Sequence, residues 1–403
     1  MRGPLYQAFT DEEARIYQSA RDLAKSHLRP ANRELTHRAL SQTPKSEPQF
    51  AGASFSAIAE QKLHAVMVPE AFGGLGKSCL LHGMVLESIA QAFPAVAVTI
   101  GVTNLVMGAL VRFGSPAQKS HALKELASGK AIGAFSLSEP GAGSDASALQ
   151  LTAVQEKKSF VVNGVKAWCS SAGVAHYYLV MARTSTDPTR GISAFLVPAG
   201  TAGLSIGSQE KKLGLWGSPL AQLIFDHCVL PREMLVGDLG EGFHIALSQL
   251  DIGRIGIAMV GTGIGWEALS WTVRALHQES LSREDKLARL EILTDAFTHI
   301  SASRLLWQHA AAQRDRKGPI SVLAAQSKLL SSEVAVSTVQ ACIDTIGWES
   351  VRHGHLLEGL WRDARALPIV EGTSQVQRRI LARRLEKAGF SMASTLPEEI
   401  WTQ

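Results

Sequence analysis

The hydrophobic pattern changes its period twice along the chain, and this limits the fold more than any other feature. Thr10 and Glu13 make a capping box ahead of Ile16, Ala20, Leu23 and Leu28 at helical spacing, and Pro30 is expected to close that helix. The polar, Pro-containing stretch 41–50 reads as a loop. Helical patterns resume at Phe55–His64 and Leu80–Phe93, and Val96–Phe113 is apolar on nearly all sides, as a buried helix would be. After Lys130 short β-rich runs take over: Ser159–Trp168, His176–Arg183, Ile192–Pro198 and Leu220–Pro231. Asn163-Gly164 inside the first of these predicts a hairpin turn. From Gly242 the helical stripe returns with Phe243, Leu247, Leu250 and Ile255, followed by helices over 287–314, 322–346 and 374–387. Ser374 and Gln377 read as a capping box for the last of these. The expected fold class is α+β. A helical domain over 1–130 precedes a middle antiparallel β barrel or sandwich domain over 131–236, and a C-terminal helical bundle covers 237–403.

Composition excludes several classes. With 403 residues, 46% hydrophobic and 19% charged, the chain can bury a sizeable core and is not disordered. A net charge of +4 leaves no footprint for a nucleic acid. Cys79, Cys169, Cys228 and Cys342 form no CxxC pair, so no metal site is expected, and they read as reduced thiols. No apolar leader opens the sequence, and the apolar runs near 95–100 and 252–260 are short of the roughly 20 residues a bilayer span needs. A soluble, cytoplasmic protein without a membrane partner is the expectation.

Four segments carry chemistry. They are Val68–Gly76 (VPEAFGGLG), Ala134–Asp145 (AFSLSEPGAGSD), Val162–Ser170 (VNGVKAWCS) and Arg362–Arg384 (RDARALPIVEGTSQVQRRILARR). In the second, two glycines let backbone approach a ligand, and Ser138 and Ser144 offer hydroxyls beside free N–H groups. In the fourth, Glu371 stands on a loop just before a helix start. A carboxylate held there against apolar surroundings would have a raised pKa and could act as a base near neutrality.

In this order and at these separations the four segments resemble the acyl-CoA dehydrogenase family, over about residues 10–388. The resemblance implies FAD as cofactor and α,β-dehydrogenation of an acyl thioester. Glu371 would be the α-proton base and flavin N5 the hydride acceptor, with the backbone N–H of the base and a flavin ribityl hydroxyl holding the thioester carbonyl. Phe135, Leu137, Ser138, Gly143, Ser144, Trp168, Cys169, Ser170, Thr373 and Gln375 would contact the cofactor. Ser144, Asp251, Arg254 and Gly372 would contact the substrate. A subset of the family places the base directly before the Arg of a Leu-Asp-x-x-Arg segment. Here that position is Gly253, which closes that route.

Two stretches depart from the family pattern. Its Arg-x-x-Phe-Gly motif is replaced around Leu276–Leu281, where Glu279 and Ser280 stand for Phe-Gly, and Arg274 or His277 is left as a substitute cation. Its Gln-x-x-Gly-Gly turn becomes Asp344-Thr345-Ile346-Gly347-Trp348. Both motifs serve the FAD of a neighbouring subunit in the family. The resemblance therefore implies a homodimer or homotetramer, or a heteromer with a related chain that completes the site. The acyl group would ride on CoA or a carrier protein, with an electron-transfer flavoprotein or oxygen as acceptor. Two other readings stay open: a flavin monooxygenase on the same fold, and a non-catalytic binding or assembly relative.

Overall fold

The computed structural model describes residues 9–41 and 50–388. Most of the 41–50 stretch that reads as a loop lies outside the described residues. The N-terminal helices are α1 (Asp11–Leu23), α2 (Arg29–Ser41), α3 (Gly52–Glu60), α4 (Cys79–Ala92), α5 (Pro94–Phe113), α6 (Pro116–Gln118) and α7 (Lys124–Ala127). Thr10 and Glu13 form the capping box of α1. Pro30 does not end the helix there. A π-helical turn over Ala24–Leu28 runs directly into α2, and widening the backbone ahead of a proline lets the chain stay helical through a residue that lacks an N–H. Helix α5 is apolar all round because other helices and the sheet cover it. It and α8 (Gly242–Gln278) are long and apolar enough to cross a membrane by length and composition, yet α5 is mostly buried within the protein. The apolar run is thus longer than the sequence reading allowed.

The strands are β1 (Gly133–Ser136), β2 (Thr152–Glu156), β3 (Ser159–Ser170), β4 (Tyr177–Arg183), β5 (Ile192–Pro198), β6 (Leu204–Gln209), β7 (Leu220–Pro231) and β8 (Leu235–Val236). They make one sheet in the order β6-β7-β3-β2-β4-β5-β8, with β1 beside β4. The pairing is antiparallel except that β1 and β2 run parallel to β4. Asn163-Gly164 is not a hairpin turn. The turn lies at Lys157–Lys158, and Asn163-Gly164 sits inside β3 at a bulge opposite β7. There Gly164 has φ +132°, with Leu151 packed where a side chain would stand, and Asn163 Oδ1 accepts the N–H of His227 at 2.8 Å.

Helix α8 opens the C-terminal bundle, followed by α9 (Arg283–Ile292), α10 (Thr294–Asp315), α11 (Ser321–Ile346), α12 (Leu356–Ala364) and α13 (Ser374–Ala388). The helix expected over 287–314 is broken at Leu293, which turns α10 back into the core. One large hydrophobic cluster joins α4 and α5 to α8, α10 and α11. The two helical regions therefore share a core, and the cleft between them is built of rigid elements.

Candidate active site

Glu371 lies on the short link between α12 and α13. The link holds two successive residues in the left-handed region, Glu371 at φ +53° and Gly372 at +87°. Such a conformation strains a residue with a side chain, so the surroundings must impose it. They do so through α13. Thr373 Oγ1 accepts the N–H of Val376 at 3.2 Å, and Gln377 Nε2 donates to the Gly372 carbonyl at 2.8 Å and the Glu371 carbonyl at 3.3 Å. The cap is thus Thr373, one residue earlier than the expected Ser374. Thr373 spends its hydroxyl on this cap, and Gln375 is exposed on the first turn of the helix.

The Glu371 side chain enters a cavity of about 60 Å³ between α4, α5 and α8. Since a water needs roughly 10–15 Å³ on this measure, the space suits on the order of four to six water-sized units. Its walls are mostly apolar, with Leu86, Val98, Val102, Leu105, Ile257 and Val260 among them. Glu371 Oε2 is buried without a hydrogen-bond partner. Burial pushes the Glu371 pKa up to about 7, against the opposing pull of the Arg254 and Lys328 charges. Lys328 on α11 is fully buried, its Nζ has no hydrogen-bond partner, and burial lowers its pKa to about 8. Nothing in the sequence singled it out, because a lone lysine in a helical run usually marks a solvated face.

Gly253 on α8 faces the Glu371 carboxyl. A Cβ there would stand 2.6 Å from Oε2. Asp251 and Arg254, expected to touch substrate, are not among the cavity-lining residues. Residues 252, 253, 256 and 257 take the cavity face of α8. Asp251 and Arg254 pair with each other at 2.6 Å, with Asp251 near Ser321 at the start of α11. Arg254 acts on the site through its charge. Gly372 stands behind Glu371 and is also outside the lining.

The end of β3 forms the other wall. Between Lys166 and Cys169 the register against β7 slips by one residue, and Trp168 takes φ +57°. This bulge throws Trp168 outward to 61% exposure, turns Cys169 into the sheet core and brings Ser170 to the cavity. The Cys169 side chain therefore cannot meet a ligand on that face. Leu137 likewise packs in the core between sheet and helices. Phe135 and Ser138 are half-buried, and Gly143 and Ser144 are exposed on the loop after β1. A buried ion pair holds that loop. Lys166 Nζ bonds Glu139 Oε1 at 2.7 Å and the Leu137 carbonyl at 2.9 Å, while the Glu139 carboxylate accepts the N–H groups of Gln150 and Leu151. This pair was missed, because a lysine and a glutamate 27 residues apart carry no joint signal in the sequence.

Residues 10–130 match the acyl-CoA dehydrogenase N-terminal domain, 134–228 the middle domain and 240–386 the C-terminal domain. The mitochondrial short-chain specific acyl-CoA dehydrogenase of Mus musculus is 37% identical over 377 residues, covering 92% of this chain and 89% of that protein. The chain belongs to the acyl-CoA dehydrogenase family. Among solved structures, butyryl-CoA dehydrogenase from Megasphaera elsdenii superposes with a TM-score of 0.87 at 29% identity, covering 94% of this chain and 99% of that one. A chain solved in work on the electron transferring flavoprotein of Acidaminococcus fermentans gives a TM-score of 0.88 at 31% identity, covering 94% and 98%.

Its relatives are flavoprotein oxidoreductases acting on CH–CH bonds, with FAD as cofactor. The residues present fit a flavin. An exposed indole is set out by a strained bulge, offering a stacking face beside Ser170 and the cavity mouth. Ser374 Oγ and Gln377 Oε1 are buried near Glu371 without hydrogen-bond partners. At the first departure from the family pattern, Leu276 is buried, Glu279 pairs with Arg289 at 3.2 Å, and Arg274 and His277 are exposed. At the second, Asp344 accepts from Gln340 Nε2 at 2.8 Å, and Trp348 is 72% exposed after Gly347 at φ +89°.

Proposed function

We propose that this chain removes hydrogen across the Cα–Cβ bond of a short acyl-CoA thioester. The observation that carries the reading is the Glu371 carboxyl, held beside a small apolar cavity with a pKa of about 7. A base for an α-proton must be ionisable near neutrality and shielded from water, and Glu371 meets both conditions. Glu371 takes the α-proton. Among the described residues the Glu371 and Gly372 N–H groups have no hydrogen bond within the chain, so they are available to the thioester oxygen as charge develops there. Trp168 and Ser170 would help to hold FAD, which when bound would supply the hydride acceptor for the β-carbon. The apolar walls exclude water and align the acyl chain.

The cavity size supports a short acyl group, in keeping with the short-chain and butyryl-CoA relatives. An electron-transfer flavoprotein is the acceptor that the reading favours. The altered stretches at Leu276–Leu281 and Asp344–Trp348 favour a second point: FAD is completed in an oligomer, either by a copy of this chain using other contacts or by a related chain. The test is bleaching of the flavin on anaerobic addition of butyryl-CoA to purified protein. Glu371→Gln should abolish bleaching while retaining the flavin spectrum. Equal bleaching by wild type and Glu371→Gln would refute the proposed base, and a stoichiometric homo-oligomeric flavoprotein would refute the need for a second chain.

A further inference from the structure

His82 on α4 is a polar group that the proposed reaction does not use. It is 4% exposed, lines the Glu371 cavity, and its Nδ1 is buried without a hydrogen-bond partner. An unpaired buried polar atom destabilises a fold, and an apolar side chain would line the same wall without that penalty. Burial, with the Arg314 charge adding to it, lowers the His82 pKa to about 4. The ring is therefore neutral at physiological pH and presents one donor and one acceptor. Other polar groups on this wall are occupied or weak. Asn104 Nδ2 already donates to the carbonyls of His64 and Ile100 at 2.8 and 2.9 Å, and Cys79 offers only a thiol.

The packing fixes the height of His82 in the cavity. Helices α4 and α8 run side by side in the same direction, with Gly83 against Met259 and Glu87 bonded to Thr262. That register sets His82 on α4 level with residues 257–258 of α8, four to five residues or roughly 6–8 Å beyond Gly253. Gly253 marks the Glu371 carboxyl, and so the α-carbon of a bound acyl group. Gly256 and Gly101 line the same cavity as His82, and a Cβ at either would meet nothing within 4 Å, so the cavity has open space beside these two glycines.

We infer that the cavity is built for a short acyl thioester whose chain carries an uncharged hydrogen-bonding oxygen, a hydroxyl or carbonyl, beyond its β-carbon, with His82 as its partner. This rests on the acyl-thioester reading of the site and narrows its substrate class.

The test uses FAD-loaded Glu371→Gln protein, in which binding is not followed by proton removal, and calorimetric titration with two matched pairs. One is 4-hydroxybutyryl-CoA against pentanoyl-CoA, the other 4-oxopentanoyl-CoA against 4-methylpentanoyl-CoA. In at least one pair the oxygen-bearing thioester should bind about tenfold more tightly, as expected when one buried polar group gains or loses its partner. Adding His82→Leu should erase or reverse that preference. If neither pair favours oxygen, the inference fails whether or not the His82 variant folds, and an oxygen preference that His82→Leu leaves unchanged also overturns it. If no thioester of either pair binds, the acyl-thioester reading fails first and takes the inference with it.

Discussion

The Glu371 carboxyl and the Gly253 backbone are in contact, so that a β-carbon on Gly253 would lie 2.6 Å from Oε2 and 2.9 Å from Cδ. The absence of a side chain on α8 thus makes the space that the loop acid fills. Gly253→Ala should push the carboxyl aside while leaving the fold intact. A displacement near 1 Å can lower a rate about 100-fold, so kcat/KM for butyryl-CoA should fall by roughly that factor. Gly256→Ala is the control, because its new methyl meets no atom within 4 Å. It should narrow the cavity and cost far less on a four-carbon chain. Equal losses in the two variants would show that the Gly253 contact is not special.

The pH profile reports the same carboxyl. The proposed base must be ionised to act, so the rate of flavin reduction should rise through an apparent pKa of about 7. Lys328 opposes this shift, since its charge favours the ionised carboxylate. Lys328→Met should therefore move the midpoint upward, leaving less activity at pH 7 and recovery at higher pH. A stopped-flow series from pH 5.5 to 9.5 would separate this from a general loss of folding, which would lower the plateau without moving the midpoint.

Periodicity alone was enough to read the helix–sheet–helix order, because long amphipathic and apolar runs leave few alternatives. The details that failed were set by tertiary contacts. Asn163-Gly164 has turn chemistry, but the pairing of β3 with β7 recruits it as a bulge. Pro30 has breaker chemistry, but a preceding π-turn absorbs it. At the site, the loop position of Glu371 was legible from the helix-start motif that follows it. Asp251 and Arg254 stand outside the cavity lining, since spacing puts residues on a common face without saying which way the face turns. His82, Lys328 and the Lys166–Glu139 pair lay beyond reach, because their meaning depends on burial.

That ion pair carries its own expectation. Lys166 is fully buried, and Glu139 ties its carboxylate to two backbone N–H groups at the base of the 138–144 loop. Removing one partner of a buried pair typically costs about 3–5 kcal/mol, because the other is left uncompensated. Lys166→Met should lower stability by that order in urea unfolding. It should also loosen the loop and speed FAD release on dilution, which flavin fluorescence would follow. Stability loss with unchanged FAD release would confine the pair to a structural role.

Glu371 itself should be a residue that the fold would be better without. It combines a left-handed backbone at φ +53° with a buried carboxyl oxygen that has no partner. Glu371→Gly removes both penalties and should raise the melting temperature while abolishing turnover. The gain depends on pH in a definite direction. The folded-state pKa lies above the unfolded value, so the protonated carboxyl's contribution is fully present below about 4.5 and is lost as pH rises through about 7. The melting-temperature advantage of Glu371→Gly over wild type should therefore widen between pH 5 and 8. A difference that stays constant across that range would show that Glu371 is already ionised in the folded protein at pH 5, and would remove the basis for its role as a base tuned to neutrality.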